Sequence, residues 1–443
     1  MSAPEPSSSH VETSSPTGLG RIVGSVVDAG RDILAKRRQA AAEKEPLDLA
    51  AQCHLLLEHR GEASGLALAA EINDDYMNLD QEHRLAFFRS LANDFEVNSD
   101  EILAAAEAYK TSPDHDNLAA ITRAAEAPRI RLFRRMNMAP GGTALLVKLR
   151  GHLLPLLKSH PELKPVDTDL KHLFVSWFNK GFLEMRAIDW NSPALVLEKI
   201  IDYEAVHEIG GWDDLRSRLG ADRLCFAFFH PAMPDDPLVF VEIALTKGIS
   251  DSIAPLLEQD RAPTEHKNFD SVIFYSISNC HPGLAGVSFG NFLIKQVVQE
   301  IRKEHEQVKT FVTLSPVPGF RRWLKKADIS DLVEPSQQDK VKQPISGVVE
   351  TETRDALLKL CAHYLVNEKS NGLAKDPVAR FHLGNGARLH RINWAADLST
   401  KGKEQSSGIM VNYLYDLKKI EINHDAYFDQ GEISVSRSIT KLL

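Results

Sequence analysis

An α+β fold is predicted, with an all-helical N-terminal half followed by a mixed α/β half. Three observations predict it. From about residue 45 to 176, apolar residues recur at helical spacing and strand-like alternation is rare. After Trp177, short apolar strand candidates alternate with helical segments. A chain of 443 residues is long enough for two or three separate cores.

In the first half, Leu85, Phe88, Leu91, Ala92 and Phe95 form one stripe behind an Asp80 cap. Ile102, Leu103, Ala106 and Tyr109 form another behind Ser99, and Leu145, Leu146, Leu149 and Leu153 a third. Ser112-Pro113, Pro140-Gly141-Gly142 and His160-Pro161 separate the segments as turns. Residues 1–17 are rich in Ser, Pro and Glu and are expected to be a disordered tail. From Leu19 to Leu34 an apolar periodicity predicts a helix packed on its own domain or on a neighbouring subunit. The division expected is therefore 1–17 tail, 18–176 helical domain and 177–443 mixed α/β domain.

In the second half the strand candidates are Leu224 to Phe229, Leu238 to Leu245, Val272 to Ile277, Thr310 to Leu314 and Ile409 to Leu414. Phe289 to Glu304 and Arg354 to Tyr364 read as helices between them.

Composition narrows the function classes. Hydrophobic residues make up 43% and the net charge is -9, which fits a soluble globular protein and disfavours a nucleic-acid binder. Four scattered cysteines without CxxC spacing suggest neither a zinc site nor a dithiol motif. No apolar run is long enough for a membrane span, and no secretory or transit signal is evident. The expected location is cytoplasmic, with no membrane partner.

Three stretches carry chemistry. The first runs from Ser278 to Asn291, after a strand and before a helix, with Gly283, Gly286 and Gly290. Such a turn lets backbone N–H groups and a helix start cradle a phosphate. By itself the pattern also describes an ordinary strand-to-helix turn. Gly286-Val-Ser288-Phe-Gly290 spells a nucleophile elbow, but Asn279 to Leu284 intervene between strand and serine, and Pro282 breaks ladder pairing. The second is Ser315-Pro-Val-Pro-Gly-Phe320, a hydroxyl at a strand end on a stiff loop, a pattern that by itself more often only caps or closes a turn. The third, Phe381 to Asp397, sets His382 among Pro377, Gly384 and Gly386, as on a loop near a cleft. His382 and Ser315 are far apart in the chain, and sequence alone does not join them.

Together these stretches resemble the malonyl-CoA decarboxylase family. The likeness includes Tyr203-Glu-Ala-Val-His207, Pro237 to Thr246, Phe274 to Ser278, Gly283 to Lys295, Leu314 to Phe320, Pro377 to His382 and Asn385 to Trp394. The resemblance implies a catalytic domain related to the GNAT-like acetyltransferase fold. It implies that Ala285, Gly286, Val287, Ser288, Phe289, Gly290 and Asn291 bind the CoA pyrophosphate. It implies Ser315 and His382 as catalytic residues, malonyl-CoA and acetyl-CoA as ligands, and a homo-oligomer formed through the helical domain. Family members often carry Glu where this chain has Ser288.

The implied reaction needs no pyridoxal, thiamine, biotin or metal, because the thioester accepts the electrons left by CO2. The protein must orient the carboxylate, stabilise an enolate and protonate its α-carbon. His382 is expected to deliver that proton, with an ordinary pKa of about 6.5. Lys295, Arg321, Arg322 and Lys325 are candidates for the CoA phosphates or plain solvated charges. An N-acyltransferase, a thioesterase built on Ser288 and a non-catalytic CoA-binding protein are the competing readings.

Overall fold

The computed structural model describes residues 24–32, 48–259, 269–287, 292–345 and 347–443. The expected tail and most of the 19–34 periodicity lie outside them. Of that segment, 24–32 is helical, and Val27 is buried. A Cβ on Gly30 would meet the Ala63 carbonyl oxygen at 2.1 Å, so this turn packs on its own unit.

The described chain forms two compact units. One comprises the residues up to Trp177 together with His281–Val287; the other holds Phe178–Cys280 and Ser288–Leu443.

Among its described residues the first unit is helical and holds no strand. Its helices are Leu49–Glu58, Glu62–Asn78, Gln81–Asn93, Ser99–Thr111, His115–Ala124, Pro128–Met138, Gly142–Leu153 and Lys164–Trp177. Asp48, Asp80 and Asp114 each accept a hydrogen bond from a first-turn N–H, a cap worth about 1 kcal/mol. For the fourth helix the cap is Asn98 rather than Ser99, because the amide oxygen of Asn98 reaches two N–H groups. Phe88, Leu91, Phe95, Leu146, Leu149 and Leu153 are buried, as their spacing predicts. The stripe through Leu103 is not: neither Ser99–Thr111 nor His115–Ala124 buries a residue, and Leu103 is 62% exposed. Arg129 is buried between Glu96 at 2.8 Å and Asp169 at 2.5 Å.

The second unit is built on one mixed sheet. Its strands are β1 (Glu184–Ile188), β2 (Arg223–Phe229), β3 (Val239–Thr246), β4 (Ser271–Asn279), β5 (Thr310–Thr313), β6 (Ser315–Pro316), β9 (Arg388–Asn393) and β10 (Met410–Leu414). β7 (Lys369–Ser370) and β8 (Leu373–Ala374) make a separate ribbon. The order is β1-β2-β3-β4-β5-β10-β6, with β9 also on β10. β1 to β4 run antiparallel, while β4 and β5 are parallel. A parallel pair needs a crossover, and Phe292–Glu304 supplies it. β3 and β4 are buried along nearly their whole length, as central strands are when both faces are covered.

The five expected strands are present within a few residues. β1 and β9 escaped the sequence reading because Glu184, Arg186, Arg388, His390 and Arg391 break their apolar pattern.

Candidate functional site

β4 and β5 pair from Ser271↔Thr310 to Phe274↔Thr313, and then part. β4 continues to Asn279 against β3. The other chain turns after Leu314 and pairs with β10 instead, through Val411↔Ser315 and Met410↔Pro316. Pro316 and Pro318 stiffen this turn, and Phe320 N–H closes it on the Val317 carbonyl. Ser315 is thereby fixed by its backbone and is buried.

His382 lies on the helix Pro377–Gly384, not on the loop that its neighbours suggested. The helix is only two turns long, and Pro and Gly residues at its ends mimic loop composition. Pro377 suits a first helical position, where no N–H is required. Asp376 caps it, accepting from Val378 N–H at 3.0 Å and Ala379 N–H at 3.1 Å.

The structure brings Ser315 and His382 together. His382 Nε2 lies 3.0 Å from Ser315 Oγ. Ser315 Oγ donates to Thr313 Oγ1 at 2.8 Å, and that oxygen also accepts from Tyr413 N–H at 3.1 Å. On the other side of the ring, Nδ1 is 2.8 Å from the Tyr415 hydroxyl. The Tyr413 ring stacks on the imidazole at 4.7 Å. Asn412, just before the two tyrosines, donates to the Thr313 carbonyl at 2.7 Å and ties β10 to β5.

Burial decides the electrostatics. His382 is 3% exposed, and desolvation pushes its pKa down to about 3. The ring is therefore neutral at neutral pH, which replaces the ordinary value expected from sequence. Burial also pushes the Tyr413 and Tyr415 hydroxyls well above the tyrosine range, so both keep their protons. The Asp376 carboxyl is raised by burial, partly offset by backbone N–H donors. One of those donors is Gly319 N–H at 3.1 Å, so a single carboxylate holds both the start of the His382 helix and the turn after Ser315. Tyr364 Oη donates to the same carboxylate.

Of the expected phosphate loop, Ala285, Gly286 and Val287 are described, while Ser288, Phe289, Gly290 and Asn291 lie outside the described residues. The short turn Pro282–Leu284 follows β4, so the strand does not run into Ser288. Gly286 has φ +72°, a left-handed conformation that favours glycine. Arg150 Nη1 donates to the carbonyls of Gly283 at 2.6 Å and Ala285 at 2.9 Å.

The other cations fare differently. Arg321 is buried and spends its guanidinium on the carbonyls of Val341, Lys342 and Gln343. Lys295 pairs with Glu421. Arg322 and Lys325 are exposed. In the stretch from Tyr203 to His207, Glu204 accepts hydrogen bonds from Ser276 and Ser278 of β4 and supports that strand.

Thr313, Asp376, Tyr413 and Tyr415 were missed from sequence. Tyr413 and Tyr415 had a signal: residues two apart at a strand end share one face. Asp376 before Pro377 is also a recognisable cap. Neither pattern announces that the tyrosines meet His382 or that Asp376 holds its helix to the turn after Ser315.

Comparison with known proteins agrees along the whole second unit. The Malonyl-CoA decarboxylase C-terminal domain family matches residues 181–443, and the Malonyl-CoA decarboxylase N-terminal domain family matches residues 95–178. The mitochondrial malonyl-CoA decarboxylase of Anser anser anser is 38% identical over 346 residues, 70% of this chain and 69% of that protein. That of Rattus norvegicus is 38% identical over 355 residues, 72% of each. The crystal structure of malonyl-CoA decarboxylase from Rhodopseudomonas palustris superposes with a TM-score of 0.85 at 48% identity, covering 89% of this chain and 100% of that one. The Agrobacterium vitis structure gives 0.83 at 46%, covering 89% and 99%. With both domain families matched in order, the chain belongs to the malonyl-CoA decarboxylase family.

Proposed function

We propose that this protein converts malonyl-CoA to acetyl-CoA and CO2, with Ser315 and His382 handling the proton. The observation that carries the reading is the buried 3.0 Å contact between Ser315 Oγ and His382 Nε2. Family membership supports the overall reaction.

The bond between the carboxylate and the α-carbon breaks. Its electron pair moves onto the α-carbon and the thioester oxygen, and CO2 leaves. One proton must then reach the α-carbon. Tyr415 keeps its hydroxyl proton and suits donation to Nδ1, which leaves the proton of the neutral ring on Nε2. Nε2–H then points at Ser315 Oγ, whose own proton goes to Thr313. In the reaction the Ser315 proton turns from Thr313 to the α-carbon, the Nε2 proton follows onto Ser315 Oγ, the Tyr415 proton follows onto Nδ1, and one proton from solvent restores Tyr415, so no charged imidazole is needed at rest. The thioester acts as the electron acceptor, and the Ala285–Val287 turn is assigned to the CoA pyrophosphate. Assembly through the helical unit is supported by the helix pair Ser99–Thr111 and His115–Ala124, which presents Leu103 and Leu118 outward.

The test is incubation of purified protein with malonyl-CoA and mass spectrometry of the products. Acetyl-CoA and CO2 formed without an amine acceptor are expected. Free CoA thiol would indicate a thioesterase. An acylated amine would indicate an acyltransferase, and unchanged substrate a binding protein.

A further inference from the structure

The turn Gly283–Val287 is shaped from below by one arginine. Arg150, on the helix Gly142–Leu153, is buried and pairs with Asp167 at 2.7 Å. Its other arm takes the carbonyls of Gly283 and Ala285. Gly283 lies so close to that helix that an added Cβ would meet the Val147 carbonyl oxygen at 1.8 Å.

A trans peptide points its N–H opposite to its C=O. With the Ala285 carbonyl aimed at Arg150, the Gly286 N–H is aimed away from it. Gly286 is exposed, and its N–H has no backbone acceptor among the described residues. Beside it stands a cation. A Cβ built on Gly286 would be 3.3 Å from Lys171 Nζ. Lys171 sits one turn after Asp167 on the helix Lys164–Trp177, so both face the same way. Asp167 is engaged by Arg150, and among the described residues Lys171 has no ion pair of its own.

We propose that Lys171 and the Gly286 N–H form a seat for one phosphate of the CoA pyrophosphate, and that Arg150 is the positioning residue that presents the turn. This rests on the CoA-thioester reading above. A cationic ammonium and an outward N–H on a glycine turn suit a phosphate oxygen, and a glycine leaves room for close approach.

The experiment compares wild type, Lys171→Met and Lys171→Arg on malonyl-CoA and on malonyl-pantetheine, which lacks the pyrophosphate. Lys171→Met is expected to raise KM for malonyl-CoA about tenfold, the scale of one charge-assisted hydrogen bond, with kcat within about twofold. Lys171→Arg should recover most of the loss. On malonyl-pantetheine the three proteins should have equal kcat/KM. An unchanged KM for malonyl-CoA in Lys171→Met, or equal losses on both substrates, would overturn the seat. Acetyl-CoA binding by calorimetry separates this from the catalytic reading, because it needs no turnover. A wild type that releases no CO2 yet binds acetyl-CoA more tightly than Lys171→Met would sink the decarboxylase assignment and keep the seat.

Discussion

His382 is uncharged at neutral pH because burial pushes its pKa down to about 3. A free-enzyme histidine of ordinary pKa would give kcat/KM an acid limb near 6.5. Here that limb should be missing between about pH 5 and 7 as far as His382 is concerned. A pH-rate profile of wild type beside His382→Asn measures it. His382→Asn should lower kcat by about 10²–10⁴-fold, the range for a positioned acid or base. Ser315→Ala should also act mainly on kcat, and the double variant should be little worse than the poorer single one, as the proposed single proton chain requires. Losses that simply multiply would mean separate roles. Tyr415→Phe removes only the hydroxyl on Nδ1 and should cost about 3–10-fold in kcat, one hydrogen bond's worth. At Gly286 a valine forces a β-branched side chain into φ +72° and against Lys171, so KM for malonyl-CoA should rise sharply.

The helix Pro377–Gly384 and the turn Ser315–Phe320 act as one piece through Asp376. Asp376→Ala removes a helix cap and the acceptor for Gly319 N–H together. A loss of about 2–3 kcal/mol is expected by denaturant titration, with kcat falling more than KM rises. This element also shows what the sequence could and could not reveal. The strand-end turn at Ser315 was legible because a strand, a serine and two prolines stand in a row, while a role for the serine came only from the family resemblance. The helix under His382 was not, because eight residues framed by Pro and Gly carry too little periodicity to outweigh their loop composition. The partners Thr313 and Tyr415 depend on pairing between β5, β6 and β10, a long-range property no local window holds. The stripe through Leu103 had the right spacing, yet it lies exposed; periodicity marks a face without saying what covers it.

Whole-molecule stability should depend on pH through two buried histidines. His382 and His207 are pushed down by burial, to about 3 and about 4. Below about 6.5 the unfolded chain binds protons that the folded one refuses, so their contribution is complete above that pH. It is lost as pH falls toward 4, at about 1.4 kcal/mol per pH unit for each histidine. Urea titrations at pH 7, 6 and 5 should show this decline, and His382→Gln should make it shallower. A second expectation concerns assembly: Leu103→Glu with Leu118→Glu should reduce the subunit number seen by light scattering while each folded subunit persists. An unchanged particle mass would remove that helix pair from the interface.

The placement of β10 has a consequence for how the protein comes into being. Ser315 sits on β6, yet its backbone partner is Val411, and the histidine's hydrogen-bond partner is Tyr415. Both emerge from the ribosome about 100 residues after the serine. Until then β5 and β6 present bare edges, open to pairing with other chains. A growing chain is therefore inert toward its own substrate and exposed to clumping during the same interval. Nascent chains arrested before residue 405 should be inactive and chaperone-bound, and those arrested far enough past Tyr415 for it to clear the exit tunnel should become active together with their release.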